Sequence, residues 1–357
     1  MRQHYNMNTN SLVRYFKNFL RPFLKKYIKY RFKKNIKEEL LKEAKIKFKQ
    51  DYVSETYIKD YIDSLEKQYV SYDEYFHQYN FPELNQEERN KFISRAQGRF
   101  IYYDIPWDVK ENFWDKEKFL VRFSTYIHRE WIRVRNCNKE DFANFINRHD
   151  VICKPMSSCC GDGIYKIKKG SIPKCDLDNK YIELFDSDAL LEQAISNGGG
   201  MENIHPESLN TIRVVTVRNI KTGERKVFGA FFRMGRGSSP IDNAHAGGLF
   251  AQINPDSGII ESEAISTNGE RYQNHPDTGF KILGFQIPRW NEIKTICENA
   301  ADIIPENYIT GWDVVINQNE QIEIIEGNHG PDWDVMQSPL KIGVKHKLAK
   351  ALGKKIG

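Results

Sequence analysis

Two apolar runs, ITGWDVVI over residues 309–316 and IEIIEGN over 322–328, are separated only by the polar stretch NQNE. Short β-branched runs around a polar break predict a β-hairpin. Period two then puts Glu326 and Asn328 on one face of the second strand. With the turn centred on Asn319, Asp313 falls opposite or nearly opposite Glu326, where Cβ atoms sit roughly 4.5 to 5.5 Å apart. Two carboxylates and an amide oxygen converge inside segments that otherwise read as buried. Without a cation, paired carboxylates repel and one holds a proton. Mg²⁺ suits such a hairpin, because it takes one or two protein carboxylates and completes its octahedron with water and nucleotide phosphates. The competing reading makes Asp313 and Glu326 ordinary solvent-facing strand residues.

The chain of 357 residues, 40% hydrophobic and 28% charged, supports a sizeable core in one large domain or two. No run approaches the ~20 apolar residues of a membrane span, and the opening residues lack the apolar core of a signal peptide. The six cysteines include no CxxC pair, which disfavours zinc and predicts reduced thiols in a cytoplasm. Vicinal Cys159 and Cys160 read either as a redox or metal pair or as small residues in a tight loop.

The net charge of +5 is unevenly placed. Residues 1–49 hold fifteen Lys and Arg against three Glu, a net of +12, and the remainder carries −7. From Ser11 to about Phe48 there is no Gly and one Pro, and Phe16, Phe19, Leu20, Phe23, Leu24 and Tyr27 recur at helical spacing. Two readings follow. A basic helix with an aromatic stripe suits an anionic membrane surface, which would make residues 11–49 a peripheral contact at the inner leaflet. Alternatively, the helix docks on its own domain with its basic face in water. Nucleic acid is not expected, because no groove-binding motif accompanies the charge. Residues 1–95 are expected to form a helical, basic N-terminal region.

From about residue 115 the texture changes to short β-branched runs between Gly, Asn and Asp turns. VICKP over 151–155 leads into a small-residue loop holding Ser157, Ser158, Gly161 and Gly163. Glycines let backbone N–H groups approach phosphate oxygens, and Lys154 supplies a point charge. The loop is not of the GxxxxGK[ST] type, and a plain hairpin turn with an exposed lysine reads the same way. SLNTIRVVTV (208–217) and KVFGAFFRM (226–234) are two apolar strands that carry Arg213 and Arg233. A half-buried arginine needs an anion, either a phosphate or a structural carboxylate. His245, in the small-residue loop DNAHAGGL, is placed either as an acid or base or as a hydrogen-bonding loop histidine. His275 and Trp290 are left as substrate-side or structural.

Taken in order, these elements resemble an ATP-grasp enzyme of the sugar-transfer-associated family, found with surface polysaccharide synthesis. SLNTIRVVTV, DNAHAGGL and GWDV with IIEGN carry the resemblance, over roughly residues 115–340. It implies an α+β ATP-grasp fold of two lobes clasping ATP, with an N-terminal lobe over 96–198 and a C-terminal lobe over 199–357. By the same resemblance Lys154, and less directly Lys116, would bind phosphate under the 157–163 loop, and Glu192, Gln193, Ala194 and Ile195 would line adenine through backbone groups. Asn210 is grouped with the nucleotide residues, although related ligases often carry an acid there. Asp313, Glu326 and Asn328 would hold Mg²⁺, while Arg213 and Arg233 would face the transferred phosphoryl group.

The implied activity is an ATP-dependent carboxylate-amine ligase acting through an acyl phosphate. Its expected partners are a uronic acid on a sugar nucleotide, lipid-linked sugar or glycan, and an amine co-substrate such as an amino acid or amino alcohol. The alternatives are a kinase acting on a sugar hydroxyl and a non-catalytic, membrane-peripheral ATP-binding protein. The usual Rossmann-like preface of the family is replaced here by basic helices.

Overall fold

The computed structural model describes residues 9–157, 163–237 and 247–356, with side chains from Tyr30 onward. Its class is α+β, as expected, and its strands form two antiparallel sheets.

The smaller sheet holds β1 (Trp131–Arg133), β2 (Val151–Pro155), β3 (Tyr165–Ile167) and β4 (Ala189–Gln193), in the order β1-β4-β2-β3. Alternation sends Val151, Cys153 and Leu191 to one face, where Phe142, Phe145, Ile146 and Leu184 from two flanking helices pack on them. Lys154 and Glu192 therefore project from the opposite face. β2 and β3 form the predicted hairpin, with Cys153 paired to Tyr165.

The larger sheet contains β5 (Thr211–Arg218), β6 (Arg225–Met234), β7 (Leu249–Ile253), β8 (Ala264–Ile265), β9 (Arg271–Tyr272), β10 (Ile309–Ile316) and β11 (Ile322–Asn328). Their order is β11-β10-β5-β6-β7-β8-β9. One face is closed by the helix Trp290–Asp302, whose Ile293, Cys297 and Ala300 join Ile212, Val214 and Val314 in the main core. Trp290 sits in that core with its indole N–H on the Pro255 carbonyl, so it is structural. The other face packs Val215, Val217 and Ile309 against Trp333, Met336, Leu348 and Leu352.

The first helix, Thr9–Gln50, runs unbroken for 42 residues. Ala44 and Phe48 bury themselves in an aromatic cluster with Tyr61, Tyr72, Tyr75, Phe81 and Phe92, and Ile36 is buried as well. Over residues 30–50 the helix is thus docked on its own chain, while the side chains of the Phe16-to-Tyr27 stripe lie outside the described residues. Among the described residues no helix is long and apolar enough to cross a membrane.

Ile101, Phe119 and Phe123, from the helical stretch that precedes the first strand of the smaller sheet at Trp131, pack with residues of the larger sheet. A change of sequence texture marks where strands begin, but it does not say which sheet a preceding helix will cover.

Candidate active site

Asp313 on β10 is directly opposite Glu326 on β11 and directly opposite Arg213 on β5. Glu326, Asp313 and Arg213 therefore line one face of the sheet in consecutive strands. Arg213 grips Asp313 through Nε, and its second terminal nitrogen reaches Oδ2 at 3.0 Å. Arg233 of β6 reaches the same Oδ2 at 2.7 Å. Burial disfavours the ionised Asp313, but the two guanidinium groups prevail and hold its carboxyl well below the usual carboxylate range. Glu326 reaches water yet is densely surrounded by protein. That desolvation, together with the neighbouring Asp313 carboxylate, pushes its carboxyl up, and the two carboxyl groups share a hydrogen bond. The Asn328 amide donates to Glu326 at 3.2 Å. Two carboxyl groups set against each other across adjacent strands, with an amide oxygen alongside, are a donor set that fits a hard divalent cation. Among the described residues no three His, Cys, Asp or Glu side chains gather into a metal group, so the candidate set is two carboxylates and an amide.

The small sheet supplies the second half. Lys154 Nζ meets Glu192 Oε1 at 2.7 Å, and Arg129 Nε meets Glu192 Oε2 at 2.5 Å. Burial pushes the Glu192 carboxyl up, but Arg129 and Lys154 overcome it and hold it at about 2. Arg129 is itself buried and also binds Glu323 of β11 at 2.7 Å, and it donates to the Ile324 and Ile325 carbonyls. One guanidinium thus joins the strand beside Lys154 to the strand that carries Glu326. Sequence reasoning missed Arg129, because nothing in HREW marks a two-lobe junction. Glu323, a carboxylate within IEII, was a visible signal of the same kind as Asp313. The Glu192 side chain faces two cations, so any contact with adenine falls to its backbone groups.

Lys116 Nζ donates to the carbonyls of Pro155 and Met156, at 3.0 and 3.3 Å, and so touches the start of the small-residue loop. Ser157 is exposed, and Gly163 holds φ at +70°, with Pro155 close to where a Cβ would lie. Ser158, Gly161 and the Cys159–Cys160 pair lie outside the described residues, as does His245. At the end of β4, the Gln193 and Ala194 N–H groups donate to the Glu130 and Asp150 carbonyls. Ile195 follows, partly exposed, before a bridge between Asn197 and Asn317 ties this segment to the β10–β11 turn.

Asn210 corrects its expected role. It is fully buried, donating to the Met201 and His205 carbonyls and accepting from Ser208 Oγ, so it clamps the 201–210 loop rather than facing a nucleotide. His275 is also structural: it is buried and bonds the Gly235 carbonyl at 2.9 Å.

A comparison with known families matches residues 132–353 to the one described as sugar-transfer associated ATP-grasp. No curated protein matches the chain. Among solved structures, the chain is similar to the ATP-grasp ligase PsnB complexed with minimal precursor, Mg and ADP, at 13% identity and TM-score 0.39, over 65% of this chain and 55% of that one. It is similar to N5-carboxyaminoimidazole synthetase from Staphylococcus aureus at 11% identity and TM-score 0.38, over 69% and 52%. It also resembles the D-alanine-D-alanine ligase from Coxiella burnetii at 9% identity and TM-score 0.40, over 67% and 55%. The chain spans about half the length of each of these three solved chains. The family match covers more than half of the sequence and contains β10, β11, both arginine strands and Lys154, and on that ground the protein belongs to the sugar-transfer-associated ATP-grasp family.

Proposed function

We propose that the protein is an ATP-dependent carboxylate-amine ligase. The observation that carries the reading is the Asp313–Glu326 pair, set on one sheet face beside Arg213 and Arg233. Asp313, Glu326 and Asn328 would hold Mg²⁺, which offsets the charge of the ATP phosphates. Lys154 from the small sheet and Lys116 from the helix beside it approach the phosphates, and the 193–195 segment offers backbone groups to adenine. A carboxylate oxygen of the acceptor attacks the γ-phosphorus, the bond to the β–γ bridging oxygen breaks, and ADP leaves. A neutral amine then attacks the acyl carbon, and phosphate leaves as the amide forms. The protein supplies positioning and charge, not a covalent nucleophile. Arg213 and Arg233, shared with Asp313 before ATP binds, present planar donors to the transferring phosphoryl group.

The acceptor carboxylate is assigned to a uronic acid on a sugar nucleotide, lipid-linked sugar or glycan of surface polysaccharide, and the amine to an amino acid or amino alcohol. A lipid-linked acceptor gives the basic first helix a purpose at an anionic membrane surface. Hydroxylamine tests the reaction, since it captures an acyl phosphate as a hydroxamate. A stable phosphoester in place of the hydroxamate would make the protein a kinase and sink the ligase reading.

A further inference from the structure

Trp107 and Trp114 are 63% and 53% exposed, whereas Trp290, Trp312 and Trp333 are at most 4% exposed. Both exposed indoles lie on the helix Trp107–Trp114, where Trp107, Lys110 and Trp114 are spaced three and four apart and share one face. Their ring centroids are 6.3 Å apart. Trp114 lies 5.8 Å from the His329 ring, which lies 5.9 Å from Tyr102. Leaving two large apolar rings in water is unfavourable unless a ligand covers them.

The position of this aromatic ladder says what would cover it. Gly327 of β11 lies under the rings of Phe119 and Phe113, and a Cβ there would come within 2.8 and 3.1 Å of them. That contact seats the helix on the strand that carries Glu326 and Asn328, and His329 directly follows Asn328. On its other side, Trp114 stands two residues before Lys116, whose ammonium bonds the carbonyls that open the small-residue loop. The ladder therefore adjoins the end of the candidate metal strand through His329, and the chain leads from Trp114 directly to Lys116, which touches the start of the small-residue loop.

We propose that Trp107, Lys110 and Trp114 form the docking platform for the ring of an acidic sugar, and this rests on the ligase reading above. Flat indole faces take the C–H faces of a pyranose while its hydroxyl groups stay in water. Lys110 adds the charge complement. Its Nζ has one hydrogen bond, 3.4 Å to the Tyr103 carbonyl, and no ion pair among the described residues. Asp104 is close enough only to act through space. A neutral sugar would leave that cation unused, and a uronate or a sugar phosphodiester would meet it.

The test uses the full chain with D-glucuronate, UDP-glucuronic acid and D-glucose as probes, saturating Mg–ATP, and equilibrium dialysis of labelled probe as the binding readout. The wild type retains the acidic probes and holds glucose more weakly. A Trp107→Ala/Trp114→Ala double variant, read by hydroxamate formation from the same probes, raises the KM for the acidic sugar by about tenfold or more, with a smaller change in kcat and the same thermal shift with Mg–ATP. Lys110→Met removes the preference for the acidic probe. Acidic-sugar affinity and KM unchanged in the double variant overturn the platform. Loss of the Mg–ATP shift in that variant also overturns it, because the rings would then belong to the nucleotide. Failure of the wild type to bind any acidic probe has the same consequence. Acidic probes that bind the wild type and not the double variant, without any hydroxamate, support the platform and sink the ligase reading alone.

Discussion

Asp313 stands opposite Glu326 because a bulge after Asp313 steps the register by one residue. Beyond the bulge Val314 pairs with Ile324 and Ile316 with Ile322, so an unbroken ladder would have set Asp313 against Ile325. The extra residue aims a second carboxylate at the first, which is the re-aiming that bulges near functional sites accomplish. Glu326→Gln removes the repulsion and keeps the shape. The ligand-free variant is expected to melt no lower than wild type. Mg–ATP at about 100 times its dissociation constant should stabilise the wild type by roughly 2.7 kcal/mol and the variant by much less. An equal shift in both would mean that Glu326 holds no part of the nucleotide site.

Asp313→Asn is expected to behave oppositely. It leaves Arg213 and Arg233 facing a neutral amide, and Arg213 is 4% exposed. Breaking one partner out of a buried ion pair costs about 3–5 kcal/mol, visible as a lowered denaturation midpoint without any ligand. The Asp313 carboxyl is depressed in the fold, so its stabilisation is present above the ordinary aspartate range and is lost as pH falls through its folded value. In Asp313→Asn the acid limb of the stability profile should flatten.

Arg129→Met tests the link between the lobes. It leaves Glu192 with Lys154 alone and Glu323 with the backbone N–H of residue 129, at 3.0 Å, and the Asn317 amide, at 3.2 Å. The expected loss is again about 3–5 kcal/mol. Chemical denaturation that finds less than about 1 kcal/mol would show that the buried triad is replaceable packing.

Glu74 sets a separate pH dependence in the helical region. Burial, then the Asp334 carboxylate, push it up to about 7, against hydrogen bonds from the Ser71 and Arg95 N–H groups. Its folded value lies above the ordinary 4.5, so its contribution is fully present below that value and is lost as pH rises through about 7. The melting temperature should therefore decline between about pH 5 and about pH 8, and Glu74→Gln should flatten that decline. Parallel profiles for the two proteins would assign the titration elsewhere.

Truncation separates the two roles of the first helix. Removing residues 1–29 spares the buried Ile36 and the Ala44 and Phe48 of the aromatic cluster, whereas a cut at residue 49 removes all three. The shorter deletion should fold, bind Mg–ATP and lose affinity for vesicles rich in anionic lipid. The longer one should be markedly destabilised. Vesicle binding that survives the shorter deletion would remove the membrane assignment.

How far the sequence could be read follows from what each residue needs. Asp313, Glu326 and Asn328 were legible because alternation is a local rule and the turn between the strands is short. The bulge was not, since an inserted residue leaves the hydrophobic pattern almost unchanged. Lys154 was placed at a strand end by its neighbours, but its partner Glu192 was read through a resemblance and its salt bridges were not foreseen. Arg129 was invisible because its partners are 63 and 194 residues away. Asn210 misled because an asparagine that caps a loop and one that touches a ribose have the same local sequence.

The aromatic rings pressed on glycines carry a consequence for inheritance. Gly327 lies beneath Phe113 and Phe119, and Gly330 has the Tyr102 ring 2.5 Å from where a Cβ would be. The family match begins at residue 132, yet these rings come from before it. The stretch from Tyr102 to Phe123 is therefore seated, through Tyr102, Phe113 and Phe119, on the glycines of the EGN strand and of the turn after it. Exchanging the front helices between relatives would succeed only if the glycines under them were exchanged too, so the two segments are constrained to diverge as one piece.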